Sequence, residues 1–316
     1  MANYGVPYKG SKNKIAKQII DFLPSGGTLY DLFAGGCAIT HCAMESGKYD
    51  RYIVNDIEPG ITQLFIDAVN GKYANEKRWI SREDFFKLKE SDPYVKYCWS
   101  FGNNGRDYLY SKEIEPLKKH LHNIFFAENS QEARLEWKAF IRDFCTSKQS
   151  LESLQRLQSL ESLQRLQSLE SLQRLQSLES LQRLQSLESL QRLQSLESLQ
   201  RLQSLQRLQS LERLQSLERL CTDYGNIRIE SDAVIYCDIP YKNTNRYGDK
   251  KAEFDYNSFY DWACSQNVPV FISEYDMPED RFECVLEIKK QSCMAATKTL
   301  SATEKLYIPR KKGKIK

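Results

Sequence analysis

The sequence predicts an α/β protein built on an open parallel sheet, and three observations carry that expectation. Residues 12–69 run through helix, strand, helix, strand and helix patterns in turn. Two further apolar runs of buried-strand type, Ala233–Cys237 and Val268–Ile272, lie far down the chain. A glycine turn, Ala34-Gly35-Gly36-Cys37-Ala38, joins the first strand to the next helix. Alternation of this kind implies right-handed crossovers, and so parallel neighbours.

Residues 12–23 place Ile15, Ile19, Ile20 and Leu23 on one face at helical spacing, with Ser11 as the expected N-cap and Pro24 to Gly27 as the stop. Thr28 to Phe33 reads as a short apolar strand running into the glycine turn, and Ile39 to Glu45 resumes a helical pattern. A second strand, Tyr52 to Asn55, ends at Asp56 and leads into a helix from Gly60 to Val69. Residues 81–148 read as helical and more polar, broken at Phe101-Gly102-Asn103-Asn104-Gly105, and they carry Tyr94, Tyr97, Trp99, Tyr108 and Tyr110.

The block from Leu151 to Leu220 is a repeat in which every third residue is leucine, 24 in all, mostly as the nonamer Ser-Leu-Glu-Ser-Leu-Gln-Arg-Leu-Gln. On an α-helix, leucines three apart drift by about 60° at each step, so a long run gives no straight seam. A 3₁₀ helix would align them but seldom persists beyond a few residues. A triangular nine-residue coil has too little interior for three leucines a layer. Leu, Gln, Arg and Glu all favour helix and no Gly or Pro interrupts, so the block is read as helical. A surface insertion expanded by repeat slippage explains it as well as any binding role.

Setting the repeat aside leaves about 245 residues, enough for one α/β domain with a small companion. The expected division is residues 1–84 and 221–316 for the two parts of that domain, 85–149 for the companion and 150–220 for the insertion. Against 45 Lys and Arg stand 42 Asp and Glu, a net charge of +3, so no overall field demands a nucleic-acid partner. Basic residues gather locally instead, at Lys9, Lys12, Lys14 and Lys17 and in the tail from Arg310 to Lys316. Nine cysteines form no Cys-x-x-Cys pair, and the closely spaced histidines His120 and His122 have no cysteine nearby, so no metal site is expected. The odd count and the absence of a secretory leader point to a reducing cytoplasm. No apolar stretch approaches the roughly 20 residues of a membrane span.

Two clusters suggest chemistry. Asp31-Leu32-Phe33-Ala34-Gly35-Gly36 leaves the carboxyl end of a strand, where open α/β sheets bind ligands, although a glycine pair there also fits a plain tight turn. Asp56, ending the next strand, is the acid such a site uses for ribose hydroxyls, and together the two suggest an adenosine-containing cofactor. Asp238-Ile239-Pro240-Tyr241 follows directly on a strand and sets a carboxylate, a backbone carbonyl and an aromatic face at one place. An exocyclic amine is a weak nucleophile because its lone pair is delocalised into the ring. The Asp238 carboxylate and Ile239 carbonyl can draw on its two N–H bonds while Tyr241 stacks on the base.

In order, Pro7-Tyr8-Lys9-Gly10-Ser11-Lys12, Asp31 to Gly36, Asn55-Asp56 and Asp238 to Tyr241 resemble the motifs of the Dam-type, alpha-group DNA adenine-N6 methyltransferases. The resemblance extends to Ser100 to Asn104, Phe271 to Tyr275 and Glu304 to Tyr307, which is nearly everything outside the repeat. It implies a Rossmann-like sheet, S-adenosylmethionine as methyl donor and double-stranded DNA as substrate, the chemistry of restriction-modification systems. It further implies that Tyr8, Lys12, Asp31, Phe33, Gly35 and Asp56 contact the cofactor, with Asp84 as a candidate for holding its adenine amine. Asp238, Ile239, Pro240 and Tyr241 would form the catalytic turn at a flipped adenine. The family usually has proline where this chain has Ile239; isoleucine keeps the carbonyl and loses only rigidity.

Target recognition is expected in residues 85–148, where aromatics alternate with Lys and Arg as in segments that grip phosphates and wedge a duplex, although a helical subdomain would use the same aromatics as core. Two other readings stay open. The same turn could methylate an RNA base or a protein glutamine. Alternatively the chain is an inactive scaffold whose repeat, about 105 Å long as a helix, assembles with partner helices or further copies.

Overall fold

The structure, a computed structural model, describes residues 4–146, 197–211, 216–241, 254–290 and 302–310. Within them a seven-stranded sheet runs in the order β3-β2-β1-β4-β5-β7-β6. The strands are β1 (Gly26–Asp31), β2 (Tyr49–Asn55), β3 (Ser216–Leu220), β4 (Ala233–Cys237), β5 (Val270–Glu274), β6 (Phe282–Lys290) and β7 (Ala302–Pro309). β1 to β5 are mutually parallel, and β7 inserts antiparallel between β5 and β6. The order turns back between β1 and β4, which makes the gap outside their carboxyl ends the switch point of a Rossmann-like sheet.

Successive side chains of the central strands enter two cores on opposite faces. Leu29, Tyr52, Val54, Val234 and Tyr236 join one; Tyr30, Ile53, Ile235, Cys237 and Ile272 join the other. Burial on both faces is why β4 reads as an unbroken apolar run with no alternation. The first face is covered by α1 (Ala16–Phe22), α2 (Ala38–Ser46) and α3 (Pro59–Val69). Next in the chain come α4 (Arg82–Leu88), α5 (Pro93–Cys98), α6 (Glu115–Phe126) and α7 (Ser130–Thr146). Two later helices are α8 (Glu197–Leu208) and α9 (Tyr256–Ser265), and α9 covers the second face with Phe259, Tyr260 and Ala263.

Several boundaries differ from expectation. Helix α1 begins at Ala16 and is not capped by Ser11, because residues 12–15 form a turn in which the Lys12 carbonyl accepts from both Ile15 and Ala16. β1 begins and ends two residues earlier than expected, releasing Leu32 and Phe33 into the turn. β5 starts at Val270 because Pro269 has no N–H for the ladder, though its carbonyl still accepts from Ile235. β6 was not anticipated: a register shift between Cys284 and Leu286 breaks the period-two pattern that would announce it.

The expected division at residue 84 does not cut the core. Phe85, Tyr94, Tyr97, Trp99, Tyr108 and Tyr110 are buried in the same cluster as Ile19 and Val54. The five aromatics singled out for recognition are therefore core, with Trp79 stacked on Tyr110 and edge-on to Trp99. Among the side chains described in this region, the exposed aromatics are Phe86, at 53%, and Phe101, at 65% on the turn Phe101–Asn103.

The repeat divides. Residues 151–196 and 212–215, and with them most of the expected long helix, lie outside the described residues, as does the basic tail beyond Arg310. The rest is built into the fold. Over the twelve residues of α8 the leucine stripe winds through only about 180°, the half-perimeter that a helix sunk in a groove can bury. Leu199, Leu202, Leu205 and Leu208 are all buried. Arg201 donates to the carbonyls of Cys98 and Ser100 at 2.8 Å each, Ser198 meets the Tyr110 hydroxyl at 3.0 Å, and Gln206 donates to the carbonyls of Tyr73 and Ala74. Beyond it the expectation of helix fails: Ser216–Leu220 is the edge strand β3, paired with Arg51 to Asn55 of β2. Unpaired donors and acceptors on β2 offer this segment a ladder, and Arg219 fastens it to Thr62 and the Pro59 carbonyl.

Candidate active site

The first half of the site is the corner after β1. Asp31 ends the strand and is 1% exposed; its Oδ2 accepts from Thr40 at 2.7 Å, while its Oδ1 is buried with no hydrogen-bond partner. Burial raises its carboxyl to about 7, against the Thr40 bond, with Asp238 and Asp56 adding to the rise. A buried acceptor at a switch point, left without a donor, suits a cationic or hydroxyl-bearing ligand. Gly35 has φ of +46°, and a Cβ there would lie 2.9 Å from the Tyr8 ring, so glycine is required both for the turn and for the approach of Tyr8. The Gly35 amide donates to Asp56 Oδ2 at 2.8 Å, and Asp56 Oδ1 accepts from the Glu58 amide at 2.8 Å. Burial raises the Asp56 carboxyl against these two bonds. Asn55 bridges the Leu32 carbonyl and Thr222, tying the ends of β1 and β3 together.

The N-terminal segment crosses this corner. The Val6 amide donates to the Gly36 carbonyl at 2.8 Å, and the Gly5 amide to His41 Nδ1 at 2.8 Å. The same segment delivers Lys12 to the second half of the site. Lys12, 6% exposed, donates from Nζ to both oxygens of Asp238 at 2.6 Å, stands 3.4 Å from Glu304 Oε1 and lies 4.8 Å from the Tyr241 ring centroid. The Tyr241 hydroxyl donates to Glu304 Oε1, and its ring meets Tyr275 edge-on at 4.6 Å. Ile239 is buried, while the Pro240 carbonyl accepts from the Tyr256 hydroxyl at 2.8 Å. Lys12, one of four lysines whose clustering suggested a basic surface, is instead an internal counter-ion.

Of the residues expected in the site, Tyr8, Asp31, Gly35 and Asp56 converge on the glycine turn, and Lys12, Asp238 and Tyr241 on the end of β4. Phe33 packs against Tyr224, Phe254 and Phe259. Asp84 is not among the residues these contacts bring together: it is exposed at the start of α4, where its carboxylate and amide engage the Ser81 hydroxyl as a helix cap. Glu304 and Tyr275 join the site without having been assigned a role in it. Both stand in segments that carry the family resemblance, but an acid on a strand and a tyrosine after one have no signature of their own.

The family model for D12 class N6 adenine-specific DNA methyltransferase matches residues 8–144. No curated protein matches the chain. The matched segment ends before the repeat, so β4 and its turn lie beyond it. They are joined to it by the β1–β4 ladder and by the Lys12–Asp238 pair. The D12 match spans β1, β2 and the helices around them, and with a sheet of this order it supports methylation of adenine N6 in DNA with S-adenosylmethionine as the methyl donor.

Proposed function

We propose that the Asp238 carboxylate and Ile239 carbonyl accept the two N–H bonds of a target adenine in double-stranded DNA, with Tyr241 stacked on the base. S-adenosylmethionine, when bound, supplies a methyl group already activated on a sulfonium. The residues that would hold it are Tyr8, Lys12, Asp31, Gly35 and Asp56, with Phe33 at their border. The unpartnered Asp31 oxygen fits the donor's ammonium, and Asp56 fits its ribose. The observation carrying this reading is the bidentate Lys12–Asp238 bond, which draws the N-terminal segment and the β4 turn onto one spot beside Asp31.

The motif order supports the Dam-type subgroup. Cys37, Cys42, Cys98, Cys221, Cys237, Cys264 and Cys284 are free thiols, in keeping with work in a reducing cytoplasm. Among the described side chains of the recognition region, Phe101 and Phe86 are the aromatics exposed enough to meet DNA. The test is transfer of label from S-adenosylmethionine to unmethylated genomic DNA. Asp238→Ala is expected to reduce label in N6-methyladenine by at least about 10²-fold while cofactor binding persists. Label that survives the substitution, or that goes to RNA or protein and not to DNA, refutes the assignment.

A further inference from the structure

Glu304 of β7 has no part in holding either adenine or donor in the reading above, yet it is 1% exposed at the centre of the site. Its Oε1 lies 3.4 Å from Lys12 Nζ and accepts from the Tyr241 hydroxyl. Charged and titratable groups facing it include Lys12 from the N-terminal segment and Tyr236, Asp238 and Tyr241 from β4 and its turn; β6 places Ile288 opposite it. Burial raises its carboxyl to about 7, opposed by Lys12 and reinforced by Asp238.

The reaction leaves a proton to be removed. N6 bonds the methyl carbon with its lone pair, the electron pair of the broken carbon–sulfur bond stays on sulfur, and N6 then sheds one N–H proton. Asp238 is the nearest acceptor, but both of its oxygens already accept from Lys12 Nζ at 2.6 Å, so a proton it takes needs an onward route. We propose that Glu304 receives this proton at one remove: Asp238 takes it from N6 and passes it to Lys12 as Lys12 gives one of its own to Glu304. Lys12 stays an ammonium, Asp238 stays a carboxylate, and Glu304 ends neutral until it releases the proton to solvent. The same oxygen holds the Tyr241 hydroxyl, so the acceptor also fixes the stacking ring. The inference rests on the adenine reading of the Asp238 turn.

Two measurements on the full chain test it. In cofactor-free protein carrying carbon-13 in its glutamate carboxyls, one signal is expected to titrate near 7 and to be missing from Glu304→Gln; a Glu304 signal titrating below about 5, in the ordinary range, overturns the inference. Single-turnover methyl transfer at saturating cofactor and DNA is expected to fall tenfold per pH unit on the acid side of 7. In Glu304→Gln it is expected to be about 10²-fold slower with that limb gone, and Glu304→Asp is expected to restore both. Asp31 also titrates near 7 and remains intact in Glu304→Gln, so a limb that survives the substitution belongs to Asp31 and overturns the inference. Loss of cofactor affinity in step with rate would make Glu304 merely structural and do the same. Wild-type protein that forms no N6-methyladenine would instead refute the adenine reading, leaving the glutamate titration to be judged separately.

Discussion

Residues 197–208 differ from the nonamer upstream at only two positions, so a helix slipped by nine residues would bring nearly the same side chains into the groove of α8. The slip would set Glu197 where Gln206 now sits and Ser198 where Arg207 now sits. Arg207 is exposed, but Gln206 donates to the Tyr73 carbonyl at 3.2 Å and the Ala74 carbonyl at 3.1 Å. An ionised glutamate has no donor, and it would face two carbonyl oxygens with acceptors of its own. Losing two hydrogen bonds at about 1 kcal/mol each gives a penalty of about 2 kcal/mol, or roughly thirtyfold in favour of the observed register. Gln206→Glu reproduces that penalty without any slip. Urea unfolding followed by tryptophan fluorescence is expected to lose about 2 kcal/mol, while Gln200→Glu, the same change on the exposed side of α8, stays within about 0.5 kcal/mol. Equal effects from the two substitutions would refute the idea that Gln206 fixes the register.

Gly35→Ala is expected to cost about 1–2 kcal/mol, because alanine at φ +46° is strained and its Cβ meets Tyr8. Calorimetric titration should show weaker donor binding in the same variant, and unchanged stability and affinity would contradict the role given to this turn. The cofactor-free protein is expected to lose stability as pH rises from about 4 towards 7. Across that window the unfolded chain has ionised Asp31 while the buried carboxyl keeps its proton, so the folded state binds more protons. Asp31 alone contributes at most about 4 kcal/mol of this fall, which ends above 7, and Glu304 adds in the same direction. Asp31→Asn should flatten the profile measured by denaturant midpoints, and an unchanged slope would place the titrating group elsewhere.

Sequence alone determined the elements whose reasons are local. β4 was legible residue for residue because a strand buried on both faces must be apolar throughout. The glycine turn was legible because only glycine relieves the strain and crowding at Gly35, and the Asp238 turn because strand, acid, proline and aromatic follow one another directly. Tertiary structure alone decided what a repeating pattern leaves undetermined. Leucine at every third position suits neither a long α-helix nor a strand, yet the groove beside α3 and α5 selected twelve residues as α8, and the open edge of β2 took five more as β3. Lys12 and Glu304 are far apart in sequence and ordinary in type. They became a buried ion cluster because the N-terminal segment reaches, and β7 begins at, the carboxyl edge of the parallel strands beside β4, where desolvation couples charges that the chain alone would leave in water.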